Sequence, residues 1–103
     1  MLYLDANNEE YREGDIVYNP FFGDYWVVQG VTDEEKEEFG LNTDLCLALY
    51  NNKDHYCTDI DVPTGFIILM RKNDKGYDGV IDEMKLYLEK INKEMEDNNG
   101  IEE

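Results

Sequence analysis

Residues 66–95 read FIILMRKNDKGYDGVIDEMKLYLEKINKEM, and the hydrophobic period changes inside this stretch. Phe66–Arg71 is a short apolar run closed by a basic residue. It is too short for a stable helix and suits a strand, by composition the most buried one in the chain. Past Gly76, the residues Ile81, Met84, Leu88, Ile91 and Met95 fall 3, 4, 3 and 4 apart. That spacing places them on one stripe of an amphipathic helix covering about residues 79–97. Asp78 or Gly79 is placed to cap its start, and Asn98, Asn99 and Gly100 to end it. Strands followed by one long helix, rather than alternating with helices, argue for the α+β class.

Reading back from Phe66, Val62–Gly65 (VPTG) is a tight connection. Leu45–Tyr50 alternates, with Leu45, Leu47 and Leu49 on one face, and His55–Ile60 is its hairpin partner across Asn51–Asp54. Two registers are open here. A two-residue turn at Asn51–Asn52 sets Cys46 opposite Cys57, whereas a four-residue loop sets Cys46 opposite Asp59. Thr32 followed by Glu35 is a capping-box pattern that starts a short helix ending at Gly40, with Phe39 as its apolar anchor. Asp15–Asn19 and Tyr25–Val31 are further strands, the first stopped by Pro20. Leu2–Leu4 reads as an edge strand, and residues 5–14 as polar turns. The expectation is one domain over residues 1–103. A strongly bent antiparallel sheet of about five to six strands fills residues 1–72, with the short helix inserted in it.

The chain carries 25 acidic and 9 basic residues, a formal charge of −16. Nucleic-acid binders neutralise phosphates with clustered Lys and Arg. Here the one positive cluster, Arg71, Lys72 and Lys75, has Asp74 inside it. Direct nucleic-acid binding and docking to an anionic membrane are therefore not expected, and the natural complement is a basic protein surface. The charge is uneven, with a net −12 over residues 1–70 and −4 over residues 71–103. The N-terminal residues lack a leader-like pattern, the longest apolar run is Phe66–Met70, and there are two cysteines. These features fit a cytoplasmic protein without a disulfide framework.

Cys46, His55 and Cys57 are the candidate metal or nucleophile set, but their C-x8-H-x-C spacing lacks the close ligand pairs of zinc sites. Asp59 and Asp61 could face a divalent cation, yet no calcium-loop pattern surrounds them. Phosphate-binding loops, dinucleotide fingerprints and hydrolase elbows are absent from the sequence. No catalytic residue, metal or cofactor is expected. The candidate partner-binding set is instead Asp33, Glu34, Glu35, Glu37, Glu38, Asp59 and Asp61, with Tyr25 and Tyr56 as aromatic anchors. On a strand, alternate positions such as Asp59 and Asp61 would lie about 6.5–7 Å apart, a spacing comparable with backbone phosphates. A second candidate surface is an aromatic groove built from Tyr18, Phe21, Phe22, Tyr25 and Trp26 around one turn. The stripe Ile81, Met84, Leu88, Ile91 and Met95 equally suits a two-helix seam, so a homodimer through it is the alternative to packing on the sheet.

In size, charge and lack of catalytic motifs the chain resembles small acidic anti-CRISPR and anti-restriction proteins of phages and mobile elements. That resemblance implies a nucleic-acid-mimicking inhibitor of a DNA- or RNA-binding enzyme. The stretch Glu13-Gly14-Asp15-Ile16-Val17 resembles the opening strand of small SH3-like barrels. This second resemblance implies a barrel-like sheet and an accessory module that binds protein or peptide through an aromatic groove.

Overall fold

A computed structural model describes residues 3–101, with side chains through Met95. The elements are β1 (Ile16–Asn19), β2 (Asp24–Gly30), α1 (Asp33–Phe39), β3 (Leu45–Leu49), β4 (Cys57–Asp59), β5 (Ile67–Met70) and α2 (Tyr77–Ile101). The class is α+β. The five strands form one antiparallel sheet in the order β4-β3-β2-β1-β5. β4 and β5 are its two free edges, so the sheet is open and the barrel closure expected from the opening strand is not made.

Two apolar layers cover the sheet. On one side Val17, Trp26, Val28 and Leu47 meet Tyr11, Ile60 and Phe66. On the other, Ile16 and Val27 meet Met84, with Met70, Tyr77, Val80 and Ile81 packed around them. The division follows strand parity, since neighbours along a strand point to opposite faces. It accounts for the helix stripe, because Met84 and Leu88 are buried while Ile81 and Ile91 are half-buried. Met95, the last of the five, is exposed. The 25-residue helix is about 37 Å long at 1.5 Å per residue. The longest strand has 7 residues and spans about 23 Å. The helix therefore outruns the sheet it packs on.

The layer opposite α2 is made by irregular chain. Asp5 pins the N-terminal arm: its Oδ1 accepts from Asn7 N at 2.9 Å and Glu9 N at 2.8 Å, and its Oδ2 accepts from Ile68 N at 2.9 Å. The bond from Ile68 also occupies part of the free edge of β5, and such edges are a hazard for strand pairing with other chains. The expected strand at Leu2–Leu4 is reduced, over its described part, to a single bridge between Leu4 and Glu10.

β5 is an edge strand with Leu69 exposed, not the most buried strand as its composition suggests. Val17, Val28 and Leu47 of the three central strands fill that role instead. Helix α1 matches its reading closely, with Thr32 and Glu35 closing the capping box and Gly40 ending the helix at φ +70°. Helix α2 starts earlier than Asp78 or Gly79, at Tyr77, and continues through Asn98–Gly100 to Ile101. Tyr77 ties the helix to the sheet by donating its hydroxyl hydrogen to Gly14 O at 2.5 Å. Beside it, Asp15 is buried and accepts from Arg12 N at 2.9 Å and from Arg71 Nη1 at 3.1 Å. Burial raises the Asp15 carboxyl above its ordinary range, and the Arg12 amide and Arg71 only partly oppose that.

Candidate functional site

The β1–β2 hairpin carries the most exposed large apolar side chains of the described residues. Asn19 pairs with Asp24, leaving Pro20–Gly23 as the loop. Asn19 organises this turn through its buried side chain, whose Oδ1 accepts from Phe21 N at 3.0 Å, and through its carbonyl, which accepts from Gly23 N at 2.8 Å. Gly23 takes φ +72°, a conformation that suits glycine. The chain is thereby forced to carry Phe21 and Phe22 on the tip, at 77% and 83% exposure.

These two rings border a groove of about 460 Å³, lined also by Tyr56, Val62, Pro63 and Phe66. Tyr56 is 56% exposed and Val62 64%. Beneath the groove lies Trp26, with its ring 5.6 Å from Tyr56 and 5.7 Å from Phe66, both edge-on. The indole is fixed from the side, donating Nε1–H to Asp24 Oδ1 at 2.8 Å. Phe21 rests on Gly65, where an added Cβ would sit 2.7 Å from Phe21 Cε2. Trp26 behind two of the lining rings, Gly65 under Phe21 and the exposed phenylalanines thus give an open groove with a largely apolar lining.

The structure divides the expected aromatic set. Phe21 and Phe22 line the groove and Trp26 underlies it. Tyr18 and Tyr25 pair with each other at 5.1 Å across β1 and β2, on the helix side of the sheet. Tyr25 borders a separate cleft there with Leu69, Met70, Val80 and Met84. Tyr25 and Tyr56 therefore lie on opposite faces and do not form one surface. Tyr56 and Val62 lie far along the chain from Phe21 and Phe22, and the pairing of β3 with β2 and β4 brings them to the groove.

The acidic set divides as well. Glu35 is used internally, accepting from Thr32 N at 3.1 Å and pairing with Lys53 Nζ at 2.5 Å. The Lys53 and Thr32 bonds hold its carboxyl below the ordinary range. Asp59 is used too, accepting from Asn42 N at 2.8 Å, Thr43 Oγ1 at 3.0 Å and Thr43 N at 3.2 Å. Burial pushes the Asp59 carboxyl up, but these hydrogen bonds outweigh it and hold it below its usual value. β4 ends at Asp59 and Asp61 stands in the following turn, so the two carboxylates do not follow one strand. Asp33 lies 3.9 Å from Lys36. Glu34, Glu37 and Glu38 are exposed at i, i+3 and i+4 on α1, and among the described residues they make no ion pair.

Comparison with protein-family models, with curated proteins and with solved structures found no match. The register is the one expected of a four-residue loop, with Cys46 opposite Asp59 and Cys57 opposite Ala48, although the connection itself is longer, since β3 ends at Leu49 and β4 starts at Cys57. His55 stands in the hairpin loop rather than on the strand with Cys57. Burial, and secondarily Cys57, push the Cys46 thiol up to about 11, and burial raises Cys57 as well. Neither thiol is activated as a nucleophile near neutral pH. Among the described residues no three His, Cys, Asp or Glu converge to hold a metal ion. No described helix is long and apolar enough to cross a membrane.

Proposed function

We propose that this chain is a non-catalytic acidic protein that docks a basic protein surface, with the Phe21–Phe22 groove as its contact centre. The observation that carries this reading is the pair of phenylalanines held outward by a hydrogen-bonded turn. Exposed aromatic rings bring the fold little burial energy, and a contiguous apolar patch of this kind marks an interaction surface. The net charge of −16 selects among partners and steers a basic one toward the surface.

A second reading has its own support. Glu34, Glu37 and Glu38 form a short free carboxylate ridge on α1. A nucleic-acid-mimicking inhibitor, of the anti-CRISPR or anti-restriction kind, would present such a ridge to the Arg- and Lys-lined channel of its target.

The two readings separate experimentally. The immobilised protein is used to capture partners from a bacterial lysate at low salt, and bound species are challenged with salt, DNA and heparin. Docking through the groove predicts that Phe22→Ala loses the partner and that binding persists as salt shortens the screening length from about 8 to 3 Å. Mimicry predicts release by heparin or DNA, loss on reversing Glu34 and Glu37 to Lys, and indifference to Phe22→Ala.

A further inference from the structure

The connection from Asp61 to Gly65 is a wall between two clefts. Pro63 and Thr64 line both of them. One is the aromatic groove. The other, of about 540 Å³, lies toward the N-terminal arm and is lined by Tyr3, Asp5, Tyr11, Ile60 and Asp61. Their chemistries differ. The first presents aromatic and aliphatic groups, whereas the second presents two carboxylates and two phenols.

The two carboxylates are not equivalent. Both oxygens of Asp5 are taken by backbone N–H groups of Asn7, Glu9 and Ile68. Asp61 is exposed, and among the described residues it makes no ion pair. Tyr11 keeps its phenolic hydrogen, because burial and then Asp5 push its pKa to about 12. No Lys, Arg or His lines either cleft. In a chain of charge −16 the second cleft is thus a place where a cation meets a free carboxylate with no internal competitor.

We infer that the two clefts form one bipartite site for an extended basic segment of a partner protein, which places a large apolar side chain between Phe22 and Tyr56 and a Lys or Arg over Asp61. This rests on the groove reading of the preceding section and adds the form of its ligand. An extended chain advances about 3.3 Å per residue, so a few residues carry it over the Pro63–Thr64 wall. The apolar anchor supplies burial, and the cation supplies orientation and partner choice. The occupant is set by charge complementarity: a neutral peptide would leave Asp61 unanswered, and an acidic one would be repelled by it.

The test uses the full chain and a panel of synthetic peptides in a Gly/Ser background. Each peptide carries one Phe and one Arg separated by about two to five residues, with Arg→Ala and Phe→Ala controls. Trp26 is the only tryptophan and contacts two groove-lining rings, so its emission reports occupancy. The expected result is that one separation binds at least about tenfold tighter than either control. Asp61→Asn should remove that gain while leaving the Arg→Ala peptide unaffected, and Asp61→Glu should retain it. Equal binding of the Arg-containing and Arg→Ala peptides, or no effect of Asp61→Asn, overturns the bipartite site but leaves the aromatic groove standing. Binding unchanged by Phe22→Ala overturns the groove reading as well. If no peptide shifts the emission, the extended-segment inference is wrong, and capture of the protein partner by the Phe22→Ala variant decides the groove reading separately.

Discussion

The two faces of the sheet are closed by different means. On one, a single amphipathic helix lays Val80, Ile81 and Met84 against Ile16 and Val27. On the other, two irregular segments, Tyr3–Tyr11 and Ile60–Phe66, cover Val17, Trp26, Val28 and Leu47. A helix covers a sheet face with one continuous stripe, here leaving beside it the cleft bordered by Tyr25, Leu69, Met70 and Val80. Loops seal through individual contacts such as the Asp5 hydrogen bonds, and they leave clefts between those contacts. Both faces thus carry clefts, and the two exposed phenylalanines of the hairpin tip border the one on the loop-covered face.

The largest test of this contrast compares the two cores. Leu47→Ala, in the fully buried centre of the loop-covered face, should cost about 3 kcal/mol in urea unfolding. Met84→Ala on the helix side should cost about 2 kcal/mol and should raise amide exchange in α2 before the rest of the fold. Uniform exchange in Met84→Ala would mean that the helix is as integral as the strands.

Next in size is Gly65→Ala. It places a Cβ 2.7 Å from Phe21 and forces φ +83° on a residue with a side chain. A loss of about 1–2 kcal/mol is expected, together with a shift in Trp26 emission as Phe21 leaves its seat. An unchanged melting curve and spectrum would show that the seat is not tight.

Asp59→Asn should cost about 1 kcal/mol at neutral pH, through weakened bonds to Asn42 and Thr43. Its lowered pKa fixes the sign. The stability it contributes is present above the ordinary Asp range and is lost as pH falls through the lowered value. The gap between wild type and variant should therefore close on acidification, and a gap that widens would contradict the assignment. Smallest in stability is Phe22→Ala, expected within about 0.5 kcal/mol because the ring is already in solvent. If the proposed groove is the contact centre, that same variant should lose the partner in a pull-down, separating binding from stability.

Much of this was legible in the sequence where the chemistry is local. Helix α1 follows from Thr32, Glu35 and Gly40 because caps act within a few residues. The α2 stripe and the α+β class follow from periodicity. Long-range placement was less legible. Phe66–Arg71 looks like a core strand because composition records apolarity but not whether a strand is central or at an edge. Asp5 reads as a turn residue because its partner, Ile68, is 63 residues away. The candidate site was half legible. Phe21 and Phe22 are visible beside a Pro and a Gly, yet strand parity separates them from Tyr25, and the hairpin register brings in Tyr56. Glu35 and Asp59 look like surface charges until their donors are known.

The paired phenylalanines at the hairpin tip also bear on how the protein keeps apart from itself. Two copies could bury these tips against each other, and what opposes that encounter near neutral pH is mutual repulsion between bodies of charge −16. The same acidity that, in the proposed function, would draw a basic partner would thus act as a colloidal shield. Near the isoelectric point of about 4.1 that shield is gone. Light scattering should then show clustering that Phe21→Ser and Phe22→Ser together suppress. An acidic composition would then let a small domain carry an uncovered apolar tip without self-association.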